Sequence, residues 1–414
     1  MEKRFFHTIS PAEFLKKALS LPPISREEHI PSFEARDRVV ARDVLSPEDF
    51  PPFPRSAMDG YAICARDSFG ASNENPAYLK LVGEIRIDAE DPSSISPGEC
   101  IKVYTGSPLP RGCDAVIMLE YTEEISPSEV EIRKACAPWE NIIVEGEDAR
   151  RGEVILRRGE RIRAQDIGIL CEVGVNEIVV FDRPRVGVVS TGDELVPPHI
   201  EELPRGKIRD VNTYVLSSMI ESVGGRPIGY GIIKDREEEL KECISQAIEE
   251  CDMVLISGGS SVGTADLTEK VLLSFEGARI LCHGVSISPG KPTMLATIEG
   301  IPVVGLPGQV TSAQVVMYVL VYPLIRHLGG EDSPLALRYS PCIRARLDSN
   351  IPSKPGREDY VRVRLSCRGE EFVAQPIFAK SGLLRSLLQA DGLVRVPSNS
   401  EGILKHTEVD VLLL

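Results

Sequence analysis

Between Arg183 and Gly330 the chain switches repeatedly between two hydrophobic periods. VGVVS (186–190) is a short apolar, β-branched run that ends at a turn, and TYVLSSMIESVG (213–224) carries its apolar residues at helical spacing. PIGYGII (227–233), DREEELKECISQAIEE (235–250) and MVLISGG (253–259) continue as strand, helix, strand. That alternation predicts a parallel-rich sheet wrapped by helices, with ligands bound outside the carboxyl ends of the strands. Upstream, Pro11–Leu19 and AQDIGILCEVG (164–174) read as helices, whereas Tyr61 to Ile132 is rich in Gly, Pro and short alternating runs such as LKLVGEIRI (79–87) and ECIKVYTG (99–106). Downstream, RYSPCIRARLDSN (338–350), DYVRVRLSC (359–367), FVAQPIF (372–378) and GLVRVPSN (392–399) alternate apolar and polar residues between turns, which predicts a C-terminal β-barrel or small sheet. The expected division is an N-terminal α+β base (1–52 with 138–182), an inserted β subdomain (53–137), the α/β domain (183–330) and the C-terminal barrel (331–414).

Composition narrows the function. A length of 414 residues calls for about two to four cores. A net charge of −15 argues against general attraction to nucleic acid or anionic lipid, so a bound anion needs local design. The 10 cysteines form no C-x-x-C pair and read as buried thiols in a reducing compartment. The N-terminus has no apolar h-region, and the longest apolar helix candidate, Ser312–Ile325, contains Gln314 and Pro323 and is too short for a bilayer. The expectation is a cytoplasmic protein with no membrane contact.

Candidate chemistry gathers at strand ends. SGGSSVGTAD (257–266) follows a strand and precedes the helix LTEKVLLSF (267–275); Gly258, Gly259 and Gly263 let backbone N–H groups approach phosphate, and Ser260 and Ser261 add donors. Asp266 stands at the helix start, where a plain N-cap is the alternative. The loop is neither a Walker loop nor a G-x-G-x-x-G fingerprint. Asp193 and Glu194 of STGDEL (190–195) and Asp235 share one predicted sheet edge, with Asp210 nearby if its loop folds back. Such carboxylates suit Mg²⁺ held by one or two direct ligands and several waters, although each alone also reads as a solvated loop acid. Asp59 lies in the compact segment PPFPRSAMDGYA (51–62), where a tight Asp-Gly turn is the alternative. Lys291 sits in VSISPGKPT (285–293), followed by a second Pro-Gly turn in GLPGQVTSA (305–313); without a partner it is simply a solvated lysine.

SAMDGYA (56–62), YTGSPLPRGCDAVIM (104–118), GED (146–148), STGDEL, SGGSSVG, PGKP (289–292), GLPG (305–308) and GRED (356–359) occur in an order that resembles the MoeA molybdopterin molybdenumtransferases and the similar E domain of gephyrin. The resemblance runs over nearly the whole chain. It implies a MogA-like three-layer α/β/α domain and an elongated homodimer whose cleft is lined by the α/β domain of one subunit and the N-terminal part of the other. It implies that adenylylated molybdopterin and molybdate, or tungstate, give the metal-loaded cofactor and AMP, with Mg²⁺ assisting pyrophosphate cleavage. Asp59, Thr105, Asp148, Glu194, Asp235 and Asp266 match positions the family uses for activity, with Glu194, Asp235 and Asp266 as the expected metal set; Asp210, Arg357 and Ser381 match more weakly. Implied partners are the adenylyltransferase that makes the substrate and the apoproteins, or their chaperones, that receive the product.

A dianionic oxoanion calls for a pocket built from Lys291, the turns Ser288–Pro289–Gly290 and Pro307–Gly308, and the helix N-terminus near Ser312. Here the chain departs from the family pattern. Ser288 stands where the family's K-P-G-K-P has its first lysine, Gln309 and Val310 replace Asn-Pro, and Pro54-Arg55 replace Asp-Asn. Three explanations stay open: Arg55 from a partner subunit supplies the charge, another oxoanion such as tungstate is inserted, or the protein is a non-catalytic binding or assembly module. Molybdopterin adenylyltransferases and CinA-like hydrolases share the general α/β pattern, but neither accounts for SAMDGYA or GRED.

Overall fold

The structure, a computed structural model, describes residues 8–89, 93–258, 265–335, 341–380 and 382–414, with the backbone alone at Ala265 and Asp266. The α/β domain is built on a six-stranded sheet in the order Arg226–Ile233, Arg185–Thr191, Met253–Ser257, Ile301–Leu306, Met294–Ile298 and Arg279–His283. The first four strands are parallel and the last two add antiparallel at one edge. Met253 to Ser257 is buried throughout because both faces are covered: Met253 and Leu255 pack under the helix Asn212–Ser222, while Val254 and Ile256 pack under Glu237–Glu250 and Ala265–Leu273. Alternate residues of one apolar run thereby serve two cores.

The last helical segment runs Val310–Val316, widens into a π turn at Met317–Val321 and resumes at Tyr322–Leu328. Pro323 has no N–H to donate and its ring would collide with a carbonyl one turn back, so the wider turn relieves both problems.

The helix Pro11–Ala18 is closed by a capping box in which Ser10 Oγ accepts the Glu13 N–H (3.2 Å) and Glu13 accepts the Ser10 N–H (2.8 Å). Residues 1–52 are grouped with the base in the sequence reading, yet Phe14 and Ala18 are fully buried in the α/β core. The apolar stripe of a helix this short needs a large partner surface, and the α/β layer offers one. Just ahead of it, Ile9 donates its N–H to Gly284 and accepts that of Ser286.

The base pairs Glu27–Pro31 antiparallel with Glu177–Phe181 and is tied to the α/β domain by ionic joints. The Arg26 guanidinium grips Asp252 at 2.7 and 2.6 Å, and Arg161, paired with the buried Glu331, also donates to the Val223 carbonyl (2.9 Å). Burial pushes Asp252 upward, but Arg26 and the Arg185 N–H outweigh it and hold the carboxyl below its usual value. The six-stranded sheet of the small β body carries Tyr61 and Ile63 in one core and Ala62 and Val116 in another. In the C-terminal part, Cys342–Leu347, Glu358–Arg368, Glu371–Pro376, Gly392–Val396 and Glu408–Leu413 close into a five-stranded barrel.

Cys100, Cys136, Cys243, Cys251 and Cys282 are buried as expected, but Cys171, Cys342 and Cys367 are exposed. Burial pushes the Cys100 thiol up to about 12, so it stays protonated and unreactive at neutral pH. Among the described residues no helix is long and apolar enough to cross a membrane.

Candidate active site

The carboxyl ends of the parallel strands open into a cavity of about 1020 Å³ between the α/β domain and the barrel. Its position follows from topology, because the turns after strands Arg185–Thr191, Arg226–Ile233, Met253–Ser257 and Ile301–Leu306 all face the same edge.

Three acids reach the cavity. Glu194, Asp210 and Asp235 line it together with Gly258. Asp210 is delivered by the loop folding back, with Leu195–Val196 pairing parallel to Ile208–Arg209 and the Asp210 N–H donating to Val196 (2.8 Å). Its Oδ1 accepts from Ser190 Oγ (3.2 Å) and the Thr213 N–H (3.2 Å), so part of its capacity is spent on opening the helix Asn212–Ser222. Asp235 is half-buried; burial pushes its carboxyl up, the Asp193 N–H opposes this, and the charges of Asp193 and Glu194 add to the rise. Such a carboxyl gains from a cation placed beside it.

Gly258 has a φ of +124°, and a Cβ there would sit 2.2 Å from the Thr191 carbonyl oxygen, so only glycine fits. Next to it Asn212 is buried, with its Nδ2 donating to Ser257 Oγ (2.5 Å) and the Gly308 carbonyl (3.0 Å). That leaves Asn212 Oδ1 and the buried Thr191 Oγ1 without a hydrogen-bond partner among the described residues. Unpaired buried polar atoms are costly, and two of them bordering a cavity mark where a polar ligand would be received.

The cavity is also lined by two Pro-Gly turns. Ser288, Pro289, Gly290 and Lys291 belong to one, and Pro307 and Gly308, with Ser312 after them, to the other. A Cβ on Gly290 (φ +124°) would meet Val316 Cγ2 at 2.6 Å, which fixes glycine between the proline and the lysine. Thr293 closes the turn by donating its Oγ to the Gly290 carbonyl (2.7 Å). The barrel contributes Lys354 and Arg357 to the lining.

Asp59, Thr105 and Asp148 lie outside this cavity within one chain. Thr105 donates its N–H (2.7 Å) and hydroxyl (2.9 Å) to Asp59 Oδ1, and these bonds hold that carboxyl below its usual value. Both groups are exposed on the small β body. Asp148 borders a separate hollow with Glu153, Gln165 and Glu172. Arg55 stacks on Phe50, its guanidinium carbon 5.2 Å from the ring centre. Gly259, Ser260, Ser261, Gly263, Ser381 and the Asp266 side chain lie outside the described residues. Among the described residues no three His, Cys, Asp or Glu side chains converge into a metal cage. Thr191, Asn212 and Lys354 were missed by sequence reasoning; the polar pair in DVN (210–212) and the Lys-Pro-Gly at 354–356 were the available signals.

The chain matches three family models in succession: the MoeA N-terminal region (domain I and II) over residues 9–174, a probable molybdopterin binding domain over 187–327, and the MoeA C-terminal region (domain IV) over 344–414. It is 34% identical over 393 residues to a molybdopterin molybdenumtransferase of Nostoc, spanning 94% of this chain and 88% of that one. A molybdopterin molybdenumtransferase of Staphylococcus epidermidis is 29% identical, over 98% of this chain and 95% of the relative. The crystal structure of a molybdopterin biosynthesis moeA protein from Pyrococcus horikoshii superposes with a TM-score of 0.84 at 33% identity, covering 98% of this chain and 100% of that one.

Proposed function

Because the chain belongs to the MoeA family of molybdenum cofactor biosynthesis, we propose that its cavity inserts molybdate into adenylylated molybdopterin and releases AMP. The observation that carries this reading is one cavity lined by both kinds of charge, Glu194 and Asp235 together with Lys291, Lys354 and Arg357. A substrate whose pyrophosphate needs a cation and whose reacting oxoanion is itself an anion requires both.

Gly258 and the start of the helix Ala265–Leu273 frame the phosphate region, where backbone N–H groups and the helix dipole favour negative charge. Asn212 Oδ1 and Thr191 Oγ1 offer the substrate an acceptor and a hydroxyl that have no described partner. Asp235 and Glu194, with Asp266 and Asp210 as further members, are the residues that would hold Mg²⁺, and the raised Asp235 carboxyl fits a site completed by a cation. When bound, Mg²⁺ would neutralise charge on the pyrophosphate, whose P–O–P linkage joins molybdopterin phosphate to AMP. Lys291, the Pro-Gly turns and Ser312 hold the oxoanion beside the dithiolene sulfurs, and that proximity is worth roughly 7–11 kcal/mol without a strong general base. Arg357 lines the cavity from the barrel side.

Asp59, Thr105 and Asp148 act in this reading from the second subunit of a homodimer, since within one chain they lie away from the cavity. Tungstate, of the same charge and shape, enters the same pocket. The adenylyltransferase hands over the substrate, and molybdoenzyme apoproteins or their chaperones take the product, in the cytoplasm. The test is AMP release from adenylylated molybdopterin by purified protein with Mg²⁺, with and without molybdate or tungstate. Release only when the oxoanion is present supports insertion; binding of the substrate with no AMP under any condition overturns it in favour of an assembly role.

A further inference from the structure

Resting on that reading, we propose that Lys354 of the C-terminal barrel is the second ammonium of the oxoanion pocket and, with Lys291, sets its affinity for a dianion. Among the described residues four basic side chains line the cavity: Arg209, Lys291, Lys354 and Arg357. Two of them are already committed. Arg209 donates to the carbonyls of Ile200 (2.7 Å) and Glu201 (3.0 Å), and Arg357 stands 3.0 Å from the buried Asp359 as an ion pair. The ammonium groups of Lys291 and Lys354 have no described partner, so these two charges remain for a ligand.

The backbone places Lys354 deliberately. Strand Ile287–Ser288 pairs parallel with the first residues of the barrel strand Glu358–Arg368, with Ser288 opposite Asp359, and the Glu358 N–H donates to Ser286 (2.8 Å). The parallel register sets the segment leading into that strand alongside residues 284–286, and the Val285 N–H donates to the Lys291 carbonyl (2.9 Å), which brings Lys291 back to the same stretch. Ser353 is held by the Glu401 carbonyl (2.8 Å) and Gly356 by that of Ser398 (2.7 Å), so Lys354 projects from a stem anchored on both sides. Ser288, on the strand that bears the turn, is neutral and brings no charge of its own. A single ammonium leaves a dianion half-compensated in a protein of net charge −15, whereas two lysines from different domains match it.

The experiment measures molybdate binding to the full-length protein by isothermal titration calorimetry for wild type, Lys354→Met, Lys291→Met and the double variant Lys354→Met with Ser288→Lys. Loss of one charge–dianion contact at this partly exposed site is expected to weaken binding about tenfold in Lys354→Met, with unchanged melting temperature. A lysine restored on the neighbouring strand in the double variant recovers most of that affinity, which a merely structural role for Lys354 would not permit. Wild-type binding that Lys354→Met leaves unchanged, or that the double variant fails to recover, overturns this proposal while the insertion reading stands. No binding by wild type overturns both.

Discussion

Asp235 is the residue on which cation binding and stability pull in opposite directions. Its carboxyl is raised from 3.8 by burial and by the charges of Asp193 and Glu194, so the folded chain holds that proton more tightly than the unfolded one. The resulting contribution to stability is present below the ordinary value and is lost as pH rises through the raised one. Asp235→Asn is therefore expected to raise the melting temperature of metal-free protein at pH 7, with the difference vanishing toward pH 4, while Mg²⁺ affinity drops. Thermal scans across pH and a Mg²⁺ titration check both halves. Asp59 has the reverse sign: Thr105 lowers its carboxyl, so its contribution is present above the ordinary value and lost as pH falls through the depressed one. Thr105→Val keeps the N–H bond and removes the hydroxyl, and the Asp59 carboxyl should titrate higher by NMR. The acids at the sheet edge were legible in STGDEL and in Asp235, because strand ends point their turns at one place. Lys354 was not, since its proximity depends on a barrel strand pairing with Ile287–Ser288, and no local pattern encodes a two-residue contact between domains.

At the scale of elements, the joints between bodies are ionic and their loss should be severe. Glu331 is 1% exposed at its side chain and paired with Arg161, which also bonds the carbonyls of Asp37 and Val223. Glu331→Ala leaves that guanidinium buried against the base and the α/β domain, and is expected to destabilise the protein by about 3–5 kcal/mol in denaturant unfolding. The helices and strands of the α/β layer were readable because 3.6- and 2-residue periods differ sharply; DREEELKECISQAIEE does form the helix Glu237–Glu250. The resting place of Pro11–Ala18 was not readable. Its apolar face is the same whether it packs on the base or on Leu320 and Leu324 of the α/β core, and only tertiary competition decides.

For the whole molecule, separate hydrophobic cores predict unfolding in more than one step. The small β core around Tyr61 and Ile117 shares no residues with the α/β core, whereas the barrel, with its own core around Leu347 and Val394, lends Leu393 to it. Calorimetry should resolve more than one transition, and molybdate with Mg²⁺ should move the one that contains the cavity while leaving that of the small β body in place. The cavity wall at residues 284–291 is clasped by Ile9 on one side and by the strand beginning at Glu358 on the other. During synthesis, the Ile9 side of this clasp is ready long before the other, which waits for Glu408–Leu413 to close the ring of strands. A nascent chain can thus complete its small β body and its α/β layer on the ribosome, yet under the proposed function it acquires oxoanion affinity only once Glu408–Leu413 has emerged.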